Sequence, residues 1–75
     1  MPPLPRLSAT ELRRRLLRLG FIVDRQKGSH IILRHRDDAT RYAVLAMHSS
    51  GTIPLGTLQQ ILRTTRVDPV QLMDA

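Results

Sequence analysis

The side chains in this sequence best suited to proton transfer are its three histidines, His30, His35 and His48. An imidazole titrates near neutral pH, so it can take a proton and return it. His30 directly follows Gly28 and Ser29 at the start of a β-rich segment. Beside phosphates held by arginine or lysine, such a histidine could deprotonate an RNA 2′-hydroxyl, which would then attack its own phosphodiester. The alternative is that His30 is an ordinary solvated strand residue.

The sequence lacks the side chains that most other catalytic mechanisms require. The chain has no cysteine, which excludes disulfides, cysteine-based zinc sites and thiol nucleophiles. Its single glutamate and its aspartates at predicted strand ends, loops or a helix cap disfavour a pair of catalytic carboxylates. A metal site of three histidines is disfavoured because His30 and His35, five residues apart on one strand, point to opposite faces. We therefore expect no metal and no cofactor.

The charge balance points to an acidic partner. Twelve Lys and Arg residues against six Asp and Glu give a net charge of +6, and Lys27 is the only lysine. A domain this basic is typical of proteins that bind polyanions, and arginine adds the bidentate geometry that suits phosphate. Nucleic acid and an acidic protein fit this charge equally well.

Length and hydropathy predict one small domain. The 75 residues, of which 41% are hydrophobic, suffice for one core and no second domain. We expect a single domain over residues 1–75, with an ordered part from about 8 to about 73. Apolar runs are too short to span a membrane, so a cytoplasmic location is the expectation.

A first helix is predicted to begin after Ser8 and to end at Gly20. Ser8 and Glu11 have the spacing of a capping box, in which each side chain bonds the other residue's backbone amide. Gly20 suits the left-handed residue that ends many helices. The apolar stripe between these ends comprises Leu12, Leu16 and Leu19.

A second helix is predicted to begin between Pro54 and Thr57 and to end near Thr65. Its buried stripe comprises Leu58, Ile61 and Leu62. After it, Asp68 and Pro69 combine an N-cap residue with a proline suited to the first helical position. This pair predicts one or two further helical turns over residues 70–73.

Three strands are predicted between these helices, over residues 21–26, 29–36 and 41–47. A turn at residues 27–28 and a polar loop at residues 37–40 would join them as an antiparallel meander. The order α-β-β-β-α with a short C-terminal helical tail predicts an α+β fold. In it, both helices pack on one face of a three-stranded antiparallel sheet.

Alternation along the strands predicts the face that carries His30. If Ile31 and Leu33 point toward the helices, His30 points outward. In the third strand the inward set is Ala43, Leu45 and Met47, and the outward set is Val44, Ala46 and His48. Placing the outward set beside His30 requires a loop of odd length or a bulge between Arg36 and Tyr42, because a one-residue slip exchanges the two faces.

The motif Gly28-Ser29-His30 also carries a family resemblance. The sequence resembles the HicA (YcfA-like) toxins, mRNA-cleaving endoribonucleases of bacterial and archaeal toxin–antitoxin pairs. The similarity covers most of the chain and includes Gly20-Phe21 after the first helix and the Gly-Thr-Leu at residues 56–58. Where the family commonly has proline two residues before its second histidine, this chain has Ala46.

The resemblance implies a fold like the double-stranded-RNA-binding domain and metal-independent cleavage of mRNA. It places the general acid or base at His30, with Gly28 and Ser29 at the RNA-binding site and His48 as a possible auxiliary residue. It also implies a cognate HicB-type antitoxin that covers the active face.

Charge and strand parity add three cations that would hold backbone phosphates: Lys27, Arg25 and Arg34. Two other functions are compatible with the sequence. One is an RNA-binding module of the same fold without catalysis, and the other is an antitoxin-like or adaptor protein that binds only an acidic partner. RNA cleavage that His30→Ala abolishes would separate the toxin from both.

Overall fold

Six elements follow one another along the chain in the order α-β-β-β-α-α. The computed structural model describes residues 6–47 and 51–75. Its helices are α1 (Ala9–Arg18), α2 (Leu55–Thr65) and α3 (Pro69–Asp74), and its strands are β1 (Phe21–Lys27), β2 (His30–His35) and β3 (Asp38–Ala46). The predicted α+β order with a short C-terminal helix is confirmed. Within the two described ranges, no helix is long and apolar enough to cross a membrane.

α1 begins at its predicted capping residue but uses only half of the predicted capping box. The Ser8 hydroxyl accepts a hydrogen bond from the Glu11 backbone amide at 3.1 Å. The Glu11 carboxylate instead accepts hydrogen bonds from Arg15 Nε, at 3.0 Å, and from Arg14. Guanidinium donors one turn away give stronger, charge-assisted hydrogen bonds than a backbone amide does. Gly20 follows the helix with φ +98°, as its predicted role in ending α1 requires.

The strands form one antiparallel sheet in the order β1-β2-β3. Four side chains of its inner face are at most 3% exposed: Ile31, Leu33, Ala43 and Leu45. The helix residues buried in the same core include Leu12, Leu16, Leu58, Ile61 and Leu72. Leu19 and Leu62 pack half-buried at its margin. The predicted stripes of both helices therefore meet one face of the sheet, where removal of apolar surface from water drives folding.

β2 and β3 pair in the register that the strand parity predicts. The paired residues are His30–Ala46, Ile31–Leu45, Ile32–Val44, Leu33–Ala43 and Arg34–Tyr42. The next pair is His35–Asp38, so residues 39–41 form a three-residue bulge on β3. The odd insertion predicted between Arg36 and Tyr42 is present, and His30, which pairs with Ala46, lies on the face opposite Leu45. Met47 is half-buried against the core, and His48 lies outside the described residues.

The β2–β3 hairpin loop is shorter than predicted. A polar loop over residues 37–40 and a strand beginning at Arg41 are the expectation, but Arg36 and Asp37 alone form the turn and β3 begins at Asp38. The prediction is wrong because polar side chains mark a bulge here as readily as a loop. Both interrupt the alternation of apolar residues, and the sequence pattern does not distinguish them.

Asp38 holds the bulge in place. Its Oδ1 accepts hydrogen bonds from the Thr40 hydroxyl at 2.6 Å and the Thr40 amide at 3.1 Å, and its Oδ2 accepts one from Arg66 at 2.8 Å. The hydrogen bonds from Thr40, together with the charge of Arg66, lower the pKa of the Asp38 carboxyl. Arg41 Nε donates to the Thr65 carbonyl oxygen at 2.7 Å. These contacts tie the bulge to the C-terminal end of α2.

The β1–β2 hairpin is closed by the two-residue turn Gly28-Ser29, one residue later than predicted. Gly28 has φ +60° while Ser29 has an ordinary negative φ, the pattern of a type II′ turn, which favours glycine at its first position. β1 also has a bulge at Asp24, where the register shifts between Val23 and Arg25. The sequence does not predict this bulge. It brings the basic residues that follow it onto the outer side of the sheet.

α2 begins at Leu55, within the predicted interval, and ends at Thr65 as predicted. α3 begins with a capping box. The Gln71 side chain accepts a hydrogen bond from the Asp68 backbone amide, and the Asp68 carboxylate accepts hydrogen bonds from backbone amides of the first turn, including that of Val70. Leu72 is fully buried, so the short α3 packs against the core.

Candidate functional site

The surface of the sheet opposite the helices is called the outer face here. Its side chains form three cross-strand rows: Lys27–His30–Ala46, Arg25–Ile32–Val44 and Ile22–Arg34–Tyr42. Directly opposed residues of an antiparallel pair have Cβ atoms about 4.5–5.5 Å apart. The first row therefore places a histidine beside a lysine, and the second row brings an arginine next to both.

His30 lies at the end of the outer face nearest the β1–β2 turn. It is the first residue of β2 and is exposed, as is Lys27 opposite it on β1. Ala46, opposite it on β3, is half-buried. Backbone pairing continues beyond this row, since the Met47 amide donates to the Ser29 carbonyl oxygen at 2.6 Å. The tight turn and this hydrogen bond hold the backbone of the histidine in a defined position.

The cations of the outer face differ in what they contact. No ion pair among the described residues involves Arg25 or Lys27, and both are exposed. Arg34 is engaged, because Nε donates to Asp24 Oδ2 at 3.1 Å and Nη1 donates to the Ala39 carbonyl oxygen at 3.1 Å. The two cations nearest the histidine are thus the ones best placed to contact a polyanion.

Five of the predicted site residues lie together at one end of the outer face: His30, Lys27, Gly28, Ser29 and Arg25. Gly28 is exposed and Ser29 is half-buried. Arg34 lies roughly 13 Å from His30 along β2, four residues at about 3.3 Å each. His48 is outside the described residues, so its auxiliary role stays a prediction.

His35 has a structural position. Its ring meets Phe21 edge to face, with centroids 5.1 Å apart, and its Nδ1 accepts a hydrogen bond from the Asp37 amide at 3.1 Å. It is half-buried, and its strand position places it on the face opposite His30. Among residues 6–47 and 51–75, no group of three His, Cys, Asp or Glu side chains is arranged to hold a metal ion.

The arginines of α1 form a second basic region. Desolvation raises the pKa of the Glu11 carboxyl, but the charges and hydrogen bonds of Arg14 and Arg15 outweigh it, so this pKa lies below its usual range. Arg15 Nη1 also donates to the carbonyl oxygens of Leu72, at 3.0 Å, and Met73, at 2.6 Å. Arg15 therefore joins α1 to the end of α3.

A groove lies between β3 and α2 and is not predicted from the sequence. It has a volume of about 190 Å³ and is lined by Tyr42, Val44, Thr57, Gln60, Ile61 and Thr64. Two of these residues, Tyr42 and Val44, also belong to the outer face, so the groove continues that surface. Two features of the sequence could have indicated this groove. One is Tyr42, the only tyrosine of the chain, and the other is the set of polar residues Thr57, Gln60 and Thr64 at helical spacing. Local patterns do not specify that α2 docks beside β3.

Fold and site together define a small basic α+β domain that presents a histidine and exposed cations on an open sheet face. The family model for the HicA toxin of bacterial toxin–antitoxin systems matches residues 9–67. The chain belongs to the HicA toxin family, and its role is that of the toxin in such a pair. The matched residues include α1, the whole sheet and α2, while α3 lies beyond them. A comparison with curated proteins found no match.

Proposed function

We propose that this toxin is an endoribonuclease that cleaves mRNA with His30 as its general acid or base. The observation that carries the proposal is the position of His30, exposed at the end of the outer face, opposite Lys27 and one row from Arg25. The HicA family of the chain supports RNA as the substrate. The geometry supports the histidine, because a phosphate held by the two cations would lie within reach of its imidazole.

The proposed reaction needs no metal ion because the RNA supplies its own nucleophile. The His30 imidazole takes the proton of a ribose 2′-hydroxyl, and O2′ forms a bond to the adjacent phosphorus. The bond between phosphorus and the 5′-oxygen breaks, and the leaving oxygen takes a proton from the imidazolium or from water. The products are a 2′,3′-cyclic phosphate and a 5′-hydroxyl. One acid–base group contributes about 10²–10⁴ to the rate, so turnover is expected to be slow.

Phosphate binding is assigned to the residues around the histidine. Lys27 and Arg25 neutralise the non-bridging oxygens, and the requirement for a 2′-hydroxyl selects RNA over DNA. Gly28 borders open space, since even a Cβ at this position would meet no atom within 4 Å, so the substrate backbone can approach the turn. Arg34 would contact phosphates further along the strand through Nη2, while Nε and Nη1 keep their hydrogen bonds to Asp24 and to the Ala39 carbonyl oxygen.

The proposed partner is a cognate HicB-type antitoxin that covers the outer face. Ile22 and Val44 are 53% and 47% exposed there, beside basic side chains. An acidic partner with apolar side chains would bury Ile22 and Val44 and form ion pairs with the basic side chains. Antitoxin and RNA should then compete for one surface, and a ternary complex of toxin, antitoxin and RNA would contradict this arrangement.

The decisive experiment is RNA cleavage in excess EDTA by the wild type, His30→Gln and, as a matched control, His35→Gln. We expect His30→Gln to lose about 10²-fold or more of the cleavage rate while keeping its fold and its RNA affinity. We expect His35→Gln to cleave normally at temperatures where circular dichroism shows it folded. A single 2′-deoxynucleotide at the scissile position should block cleavage, and the 5′ product should carry a cyclic phosphate.

Equal rates for the wild type and His30→Gln would remove the histidine from the mechanism. No cleavage by either, with RNA binding that weakens steeply as salt increases, would favour the non-catalytic RNA-binding module.

A further inference from the structure

The β3–α2 groove differs chemically from the rest of the outer face. On its β3 side, Tyr42 is 36% exposed and Val44 is 47% exposed. On its α2 side, Thr57, Gln60 and Thr64 lie at positions three and four residues apart, so they share one face of the helix. The groove is therefore apolar and aromatic on one side and carries hydrogen-bonding groups on the other.

The aromatic side is held firmly in place. The Arg34 guanidinium lies over the Tyr42 ring, 5.6 Å from its centroid, and is itself fixed by Asp24 and the Ala39 carbonyl oxygen. A ring supported by a guanidinium is a good surface for stacking a nucleobase, because the base has a flat apolar face. Stacking of this kind needs little reorganisation when the ring is already ordered.

We propose that the groove binds one unpaired base of the RNA, stacked on Tyr42 with its edge toward Gln60. This proposal rests on the proposed function, since it assumes that RNA lies across the outer face. The side-chain amide of Gln60 offers one donor and one acceptor, the pair that adenine matches. The hydroxyls of Thr57 and Thr64 line the same edge; Thr64 donates to the Ile61 carbonyl oxygen at 3.3 Å and keeps its lone pairs as acceptors.

The groove lies on the path that a strand bound at His30 would follow. Tyr42 precedes Ala46, the partner of His30, by four residues on β3, a distance of roughly 13 Å. The surface between them is apolar, formed by Ile32 and Val44. Phosphates held at the basic end and bases laid over the apolar part fit single-stranded RNA. A base inside a duplex could not enter the groove, so the substrate is single-stranded where it crosses β3.

The groove also provides its own spectroscopic probe, because Tyr42 is the only tyrosine and the chain has no tryptophan. A short 2′-O-methyl oligonucleotide, which cannot be cleaved through its 2′-oxygen, serves as the ligand. We expect its binding to quench the tyrosine emission of the wild type. We expect Tyr42→Ala to weaken binding about tenfold or more and Tyr42→Phe to retain most of the affinity, since the ring rather than the hydroxyl does the stacking.

Base preference tests the role of Gln60. Oligonucleotides that differ at one position are compared, and we expect one position at which adenine binds several-fold more tightly than the other bases. Gln60→Ala, a helix-compatible change at an exposed position, should abolish this preference. Val70→Ala removes a side chain that is 51% exposed on α3 and serves as the control, with affinity and preference unchanged.

The outcomes separate this proposal from the proposed function. If the wild type binds and cleaves RNA but Tyr42→Ala binds equally well and the tyrosine emission does not change, the groove proposal is overturned and the endoribonuclease stands. If no oligonucleotide binds while a protein partner quenches Tyr42, the groove is a protein-docking site and both are overturned. Loss of cleavage in His30→Gln with quenching retained would support both proposals. Quenching of the wild type by the oligonucleotide, with no RNA cleavage by the wild type, would leave the groove proposal supported by itself.

Discussion

The arginines of α1 and the cations of the outer face add to the same net charge but have different surroundings. On α1, Arg15 bonds Glu11 and two carbonyl oxygens of α3, and Arg14 pairs with the same glutamate. On the outer face, Arg25 and Lys27 make no ion pair within the described part of the chain. Net charge therefore indicates the class of partner, whereas the contacts of each cation indicate where the partner binds.

Removing two charges from each region tests this difference most strongly. Arg25→Ala/Lys27→Ala and Arg13→Ala/Arg14→Ala each lower the net charge of +6 by two. At physiological salt, we expect the first pair to weaken RNA binding about tenfold and to reduce the salt slope of log Kd by about 1.4, or 0.7 for each lost phosphate contact. The second pair should change neither quantity. Fluorescence anisotropy over a range of salt concentrations measures both, and equal losses would show that RNA contacts α1 as well.

The structural role of the α1 arginines predicts the opposite pattern for Arg15→Ala. The Arg15 side chain is 22% exposed and supplies charge-assisted hydrogen bonds to α3. We expect a loss of about 1–2 kcal/mol in the free energy of unfolding, with Tm lower by about 4–8 °C for each kcal/mol. Arg14→Ala, at a side chain that is 60% exposed, is the control and should cost about 0.5 kcal/mol or less. Thermal unfolding followed by circular dichroism measures these changes, and a weaker RNA affinity for folded Arg15→Ala would contradict the assignment.

Arg66 belongs with the structural arginines, because it pairs with Asp38 at the β3 bulge. The pKa of Asp38 is lowered in the folded chain, so its ionised form stabilises the fold above the unfolded-state pKa. That contribution is lost as pH falls through the folded-state pKa. We expect Asp38→Asn to lower Tm at pH 7 and to match the wild type in strong acid. Asp37→Asn, in the exposed turn, is the control, and a Tm difference for Asp38→Asn that does not change with pH would refute the linkage.

Strand parity predicted the outer face well because its cause is local. Burial of Ile31 and Leu33 against the helices forces His30 outward, and the same logic applied to β3 required an odd insertion in the hairpin. The sequence also indicates a tight turn near Gly28, but one residue too early, and the pairing of His30 with Lys27 depends on the turn that the structure has at residues 28–29. Such features can be predicted from the alternation of inward and outward side chains along a strand and from the residue preferences of tight turns.

The features that the sequence did not predict depend on competition or on tertiary contacts. The Glu11 carboxylate could accept hydrogen bonds from Arg14, from Arg15 or from the backbone amide of Ser8, and the sequence does not show which of these donors it binds. The bulge at Asp24 interrupts β1, which is an exposed edge strand. A polar residue at this position fits a regular edge strand equally well, so the sequence does not indicate a bulge. The ion pair that engages Arg34 depends on this bulge, so the sequence could not distinguish Arg34 from the two exposed cations.

The three-residue bulge of β3 gives this hairpin spare length. Loss of one residue among residues 39–41 allows two registers. If the next residue enters the bulge, Ile32 pairs with Leu45 and the inner and outer faces of the strand are exchanged. If the bulge shortens to two residues, every side chain stays on its present face. Burial of Leu45 favours the shorter bulge, so the hairpin can lose a residue while the histidine keeps its face.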